Sequence, residues 1–340
     1  MSTDICESVR ASADTKARRL DVFVAQWLGC STKEAARRCA RGEIRLDGQR
    51  GAKGDPVSEG AHVEYRPVMD SRGAARWLRT DTAPELHLVY EDDDILVLNK
   101  SAGIPTHPLK PGEGGTAADA AFRICEAVAT ASEDHREGGA GHRLDTGTSG
   151  LLAFAKSPAA WRSLRAAFIA GRVKRTYLAI VEGRVTGPFR CDAPIAHHPK
   201  DRKRMVTCPA GTLDAGRLQD DSLAFSDAPP VGHRARALRF RGRPQEASTI
   251  IEVLAAGEAY SLVRASALGG RRHQVRVHLA AEGYPLVGDT LYGAADTPER
   301  DGHALHAAEL CIPGKPALRC DAPADFEDML QRRSLVSQQG

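Results

Sequence analysis

Residues 141 to 156 read GHRLDTGTSGLLAFAK. One carboxylate, Asp145, stands near a cation, Arg143, inside a run of Gly, Thr and Ser, and an apolar segment from Leu151 to Ala155 follows at once. The polar run predicts a turn and the apolar run a buried strand, which puts the Asp at the edge between loop and sheet. Loops carried by a rigid frame are where chemistry concentrates, and a neighbouring cation favours the ionised acid. The residues alone leave two readings: a turn Asp bonded to its own backbone, or a reactive carboxylate.

HRLD, a short spacer and TSGLLAFAK resemble the catalytic motif of the RluA family of RNA pseudouridine synthases. The resemblance implies that Asp145 is the essential catalytic residue. It further implies an α+β chain: a small N-terminal α/β RNA-binding domain, then a synthase domain on a mixed, largely antiparallel sheet flanked by helices.

Composition agrees with a soluble globular chain. The 340 residues are 42% hydrophobic and 27% charged, enough for two domains. No apolar run approaches the roughly 20 residues that span a bilayer, and the first 19 residues lack the apolar centre of a secretory signal, so a cytoplasmic location is expected. Eight cysteines without a CxxC pair read as reduced thiols, and twelve histidines without HExxH spacing give no metal site.

Residues 16 to 66 carry eleven Lys and Arg against seven acids, an excess above the +3 of the whole chain. Leu20, Phe23, Val24, Trp27 and Leu28 form a helical stripe. Ser31 and Glu34 have capping-box spacing and open a second helix that carries Arg37, Arg38 and Arg41. Strands around Glu43 to Leu46 and His62 to Tyr65 follow, with Asp47 and Gly48 as a hairpin turn. The three arginines read as a face for phosphates or as a solvated helix face. The order helix, capped helix, strand, turn, strand resembles the small S-four RNA-binding domain, which favours RNA. Residues 67 to 84 read as a linker.

From 85 to 325 the chain reads as a second domain. Leu86 to Tyr90 and Ile95 to Leu98 predict a hairpin, and Thr116 to Val128 a helix. NKSAGIPTHP, residues 99 to 108, resembles the family's NKPAG…HP segment with Ser101 in place of proline. Ser157 and Pro158 start a helix that Gly171 stops. The strand from Lys174 to Ala179 is similar to the family's K-x-Y-x-A motif, which implies that Tyr177 stands against the target base; by itself a strand tyrosine is more often a core residue. Lys200, Arg202, Lys203 and Arg204 form a dense cationic run suited to an RNA backbone. Residues 209 to 244 match the family poorly and read as an insertion.

GRRHQVRVHL, residues 270 to 279, resembles the family's GRTHQIRVHL, with Arg272 in the usual threonine position and therefore without a catalytic role assigned to it. The resemblance makes Arg276 the ion-pair partner of Asp145 and brings Arg271 and His273 to the RNA. His107 and Arg143 are further candidates for holding RNA or the space a flipped base vacates. PLVGDTLYG (285 to 293) and ALHA (304 to 307) repeat family signatures in the expected order.

The implied reaction breaks the bond between ribose and uracil nitrogen, turns the base and rejoins it through carbon 5. It needs no cofactor. Asp145 would either attack the substrate covalently or take a ribose proton. The base would be flipped out of its stack. The partner is RNA, ribosomal before transfer RNA, and a monomer is expected. A catalytically dead RNA-binding protein and a carboxylate-dependent hydrolase are the competing classes. Against the first, Asp145, Tyr177 and Arg276 are all present; against the second, no partner acid is evident.

Overall fold

A computed structural model describes residues 7–12, 18–65, 77–209 and 240–335. The chain divides into two compact units, Met1–Asp70 and Ser71–Gly340.

The smaller unit runs β1 (Glu7–Arg10), β2 (Arg18–Arg19), α1 (Leu20–Trp27), α2 (Thr32–Arg41), β3 (Ile44–Leu46), β4 (Gln49–Arg50), β5 (Pro56–Val57) and β6 (His62–Tyr65). An antiparallel sheet in the order β1-β6-β3-β4 and a β2-β5 pair meet the two helices. Leu20 and Val24 of α1 are fully buried with Ala35, Ile44 and Val63, so the stripe read from the sequence faces the core. Ser31 Oγ accepts from the Glu34 N–H and caps α2. Asp47 and Gly48 both have positive φ, 49° and 79°, as the tight hairpin turn between β3 and β4 requires.

Arg38 departs from its expected place on a basic face. It is 1% exposed, its guanidinium lies 4.8 Å from the Tyr65 ring centroid, and Glu34 stands 4.0 Å from its Nε. A buried arginine with its charge on an aromatic face serves the core and offers nothing to a phosphate. Arg37 is half exposed and pairs with Glu34 at 3.3 Å. The side chain of Arg41 lies outside the described residues.

In the larger unit β7 (His87–Glu91) and β8 (Ile95–Lys100) form the expected hairpin. The helical stretch after Thr116 is two pieces, α3 (Ala117–Ile124) and α4 (Val128–Ala131), because Cys125 is extended. Then come β9 (Ser149–Ala155), α5 (Pro158–Ile169), β10 (Lys174–Glu182), β11 (Phe189–Cys191), β12 (Ile195–His197), β13 (Met205–Thr207) and β14 (Arg241–Gln245). The chain continues through β15 (Ser248–Ala256), β16 (Tyr260–Leu268), α6 (Gln274–Ala281), β17 (Leu305–Cys311), β18 (Ala317–Arg319) and α7 (Ala324–Arg332).

The main sheet has the order β11-β15-β16-β10-β17-β9-β8-β7, with β18 on β17. Every pairing is antiparallel except β9 with β17. The sheet is therefore mixed and largely antiparallel. All seven residues of β9 are buried. Leu152 and Phe154 join the core under α3 and α6, while Leu151, Ala153 and Ala155 pack with Trp161 and Leu164 of α5. Burying each large side chain contributes about 1.5–3 kcal/mol, which fixes the register of this central strand and hence the height of the Asp145 turn at its end.

Two boundaries differ from expectation. Of the stretch 67–84, residues 67–76 lie outside the description, but 77–84 packs on the larger unit rather than linking two. Leu78 is 2% exposed in its core, Arg79 N–H donates to Asp119, and Arg123 grips the carbonyls of Ala83 and Pro84. Of the insertion at 209–244, residues 210–239 lie outside the description, while residues 241–244 belong to β14, which pairs with β12. β14 is an edge strand, where Gly242 and Pro244 are tolerated, so its composition hid it. Among the described residues no helix is long and apolar enough to cross a membrane, and Cys39, Cys125, Cys191, Cys208, Cys311 and Cys320 are free thiols.

Candidate active site

The Asp145 turn leads into β9, and α6 lies against the same sheet, so two segments 131 residues apart meet. Arg276, on the second residue pair of α6, is held from both sides. Its Nε and Nη2 donate to the two oxygens of Asp289 at 2.7 and 2.8 Å, and its Nη1 donates to Asp145 Oδ2 at 2.8 Å. The bidentate fork fixes the guanidinium plane and so aims Nη1 at Asp145, which sets the carboxylate's position as well as its charge. Asp289 is almost fully buried, and the Arg276 and Asp145 side chains are 9% and 17% exposed.

Burial pushes the Asp145 carboxyl up. The charges of His273 and Arg276 and the Arg276 hydrogen bond more than offset this and hold it below the usual carboxylate range. His273 is itself pushed down to about 4, chiefly by burial, so at neutral pH it is uncharged and the charge bonded to Asp145 is that of Arg276. Burial pulls Arg276 down, but Asp289 and Asp145 together raise it above its ordinary value. Asp145 is therefore an anion whose Oδ2 accepts from Arg276 and whose Oδ1 lies 3.7 Å from His273 Nε2.

His273 sits at the N-terminus of α6 with φ 55°, a backbone state unusual for a non-glycine residue. Gln274 holds that turn: its Oε1 accepts from Arg271 N–H, and its Nε2 donates to the carbonyls of Ser248 and Leu268. Tyr292 closes the other side. Its ring lies 5.2 Å from the Arg276 guanidinium, and its hydroxyl accepts from Met205 N–H and bonds His273 Nδ1 at 2.9 Å.

A cleft beside Asp145 is lined by Arg143, Arg175, Tyr177, Arg271, His273 and Arg276. Tyr177 is 7% exposed, and burial raises its hydroxyl. A second cleft runs from the other side of Asp145 past Arg272, Thr290 and His303. Exposed Arg143 borders both. The structure thus brings together Asp145, Tyr177, Arg276, Arg143, Arg271 and His273. His107 is not in either wall; it is half-buried and pushed down to about 4 by burial and by Arg143. The turn bearing Lys200, Arg202, Lys203 and Arg204 is bonded to Arg272, and Arg204 lies 5.9 Å from the Tyr292 ring. Arg37 and Arg38 belong to the smaller unit.

Asp289 and Tyr292 were not picked out as site residues. Both lie in PLVGDTLYG, a segment quoted for its likeness alone. Among the described residues no group of three or more His, Cys, Asp or Glu is gathered as for a metal ion.

A family model described as RNA pseudouridylate synthase matches residues 94–281. The chain is 32% identical over 294 residues to the ribosomal large subunit pseudouridine synthase D of Pseudomonas aeruginosa, covering 86% of this chain and 79% of that protein. It is 30% identical over 307 residues to an uncharacterized RNA pseudouridine synthase of Bacillus subtilis, covering 89% and 88%. Human RNA pseudouridylate synthase domain containing 4 has a similar fold, with a TM-score of 0.53 at 21% identity over 73% of this chain and 93% of that one.

Proposed function

The chain belongs to the RNA pseudouridylate synthase family, and from that premise we propose that Asp145 is its catalytic carboxylate and large-subunit ribosomal RNA its substrate. The observation that carries the role of Asp145 is its ion pair with Arg276, itself gripped by Asp289. A desolvated acid would otherwise be protonated and inert; here it is kept ionised in a cleft that also holds Tyr177.

The reaction breaks the C1′–N1 bond and forms C1′–C5; a proton leaves C5 and N1 gains one. Asp145 acts as an anion in either route, by attacking the substrate or by taking a ribose proton. Tyr177 packs against the uracil, and its hydroxyl assists removal of the C5 proton. A stacked uridine reaches the cleft only when flipped out, at a few kcal/mol, and Arg143 fills the space it leaves. The exposed Lys200, Arg202 and Lys203, with Arg271, supply the offsetting phosphate contacts. The smaller unit acts as an S-four-like RNA-binding domain, with Arg37 and Arg41 as its phosphate contacts. The protein works as a monomer in the cytoplasm. The name of the Pseudomonas relative favours ribosomal over transfer RNA.

Asp145→Asn is expected to abolish pseudouridine formation while RNA binding stays within about threefold of wild type. Product from that variant at the wild-type rate would sink the assignment. Mapping pseudouridines in ribosomal and transfer RNA from cells with and without the gene identifies the target.

A further inference from the structure

We propose that Arg272 is a positioning residue that fastens the cationic turn between β12 and β13 beside the Asp145 cleft, as a preformed clamp for RNA phosphates. The inference rests on the RNA-directed reading above. A side chain as short as threonine could not make the contacts that Arg272 makes. Arg272 Nη1 and Nη2 donate to the consecutive carbonyls of Arg202 and Lys203, both at 3.2 Å, and Nε lies 3.3 Å from His273 Nε2. One planar fork therefore ties the turn to the residue that begins α6.

The turn is built to use that tie. Four of its N–H groups are occupied internally: those of Lys200 and Asp201 point to His198 Nδ1, that of Lys203 to Asp201 Oδ1 and that of Arg204 to Asp201 O. The carbonyls of Arg202 and Lys203 are left to Arg272. A second anchor follows at once, since Met205 N–H donates to Tyr292, which also bonds His273. Lys200, Arg202 and Lys203 stay exposed. Four cations in five residues, with Arg272 added and Asp201 the one acid among them, repel one another, so an untied turn would splay. Held together, the same charges attract an anion, and the ordering cost is met before RNA arrives.

The test uses the full chain with Arg272→Thr and Arg272→Lys, and with Lys200→Ala/Lys203→Ala in each background. Hydrogen exchange over residues 198 to 205, without RNA, should quicken at least ~10-fold in both Arg272 variants, because lysine keeps the charge but cannot bridge two carbonyls. Binding of a transcribed large-subunit ribosomal RNA is then followed against salt. In the wild-type background the double lysine substitution should reduce the salt slope by about 1.4–1.8, two phosphate contacts' worth. In the Arg272→Thr background it should reduce it by less than half as much, and the loss in turnover should fall on KM rather than kcat.

Additive slopes with unchanged exchange would overturn the proposal and leave Arg272 as a direct phosphate contact. Full rescue by lysine would overturn it too, as would failure of the wild type to bind the transcript. A wild type that makes no pseudouridine but keeps the exchange and binding pattern would refute the synthase reading and leave the clamp standing.

Discussion

Replacing Arg276 with Gln removes the guanidinium that donates to Asp145. It also strands Asp289, which is almost fully buried, and breaking such a pair from one side costs about 3–5 kcal/mol. The paired change Arg276→Gln/Asp289→Asn takes out both charges and keeps the shape, so the fold has a far smaller penalty to absorb. What remains is Asp145 in its cleft without its guanidinium. An adjacent arginine favours an ionised aspartate by about 1.4–4 kcal/mol. Burial, the largest influence on Asp145, is then met chiefly by His273 and His303, which burial pushes down to about 4 and about 3, so the carboxyl should rise above the usual range instead of lying below it.

The sign of the pH dependence changes with it. In the wild type, Asp145 contributes stability that is fully present above the ordinary carboxylate pKa and is lost as pH falls through its lower folded value. In the double variant the folded carboxyl is the weaker acid. Asp145 then destabilises the fold at neutral pH, and its contribution recovers as pH falls through the raised value. The assay is a carbon-13 carboxyl NMR titration, with the resonance identified by its loss in Asp145→Asn. Chemical denaturation at several pH values reads the stability side. An Asp145 titration in the double variant at or below that of the wild type would refute the claim that Arg276 keeps the acid ionised.

Other changes test neighbouring parts. Tyr177→Phe keeps the ring and removes the hydroxyl, so RNA affinity should hold within about twofold while loss of a C5 tritium label slows by ~10²-fold or more; an unchanged rate would remove the hydroxyl from the chemistry. Gln274→Ala strips the carbonyls of Ser248 and Leu268 and the N–H of Arg271 of their partner, and should cost about 1–3 kcal/mol in denaturant unfolding with a loosened 269–273 turn. Gly150→Ala should be worse. That residue has φ 114°, and a Cβ there would lie 2.3 Å from the Ala307 carbonyl oxygen, so the β9–β17 pairing must shift. We expect a thermal midpoint lower by at least ~5 °C, and a midpoint equal to wild type would contradict the close approach.

Local signals in the sequence reached far. The stripe of α1, the Ser31 cap, the Asp47 and Gly48 turn, the Ser157 and Pro158 start of α5 and the apolar run of β9 are all carried by residues close together in the sequence. Short-range physics is written in short-range spacing. Arg38 shows the limit: its helical position was legible, but its burial against Tyr65 depends on a strand 27 residues away. The same holds for β14, whose Gly and Pro suit an edge that only the pairing with β12 defines.

The opening stretch divides along the same line. By itself GHRLDTGTSGLLAFAK determined a polar turn feeding a buried strand and a carboxylate at their junction. Likeness to a family suggested Arg276 as its partner. Only the tertiary structure decided that Arg276 is anchored by Asp289, that Tyr292 backs it and ties it to the cationic turn, and that Arg272 grips that turn. Those contacts join residues 13 to 131 positions apart. Their geometry depends on how β9, β10 and α6 pack, which no single stretch of sequence encodes.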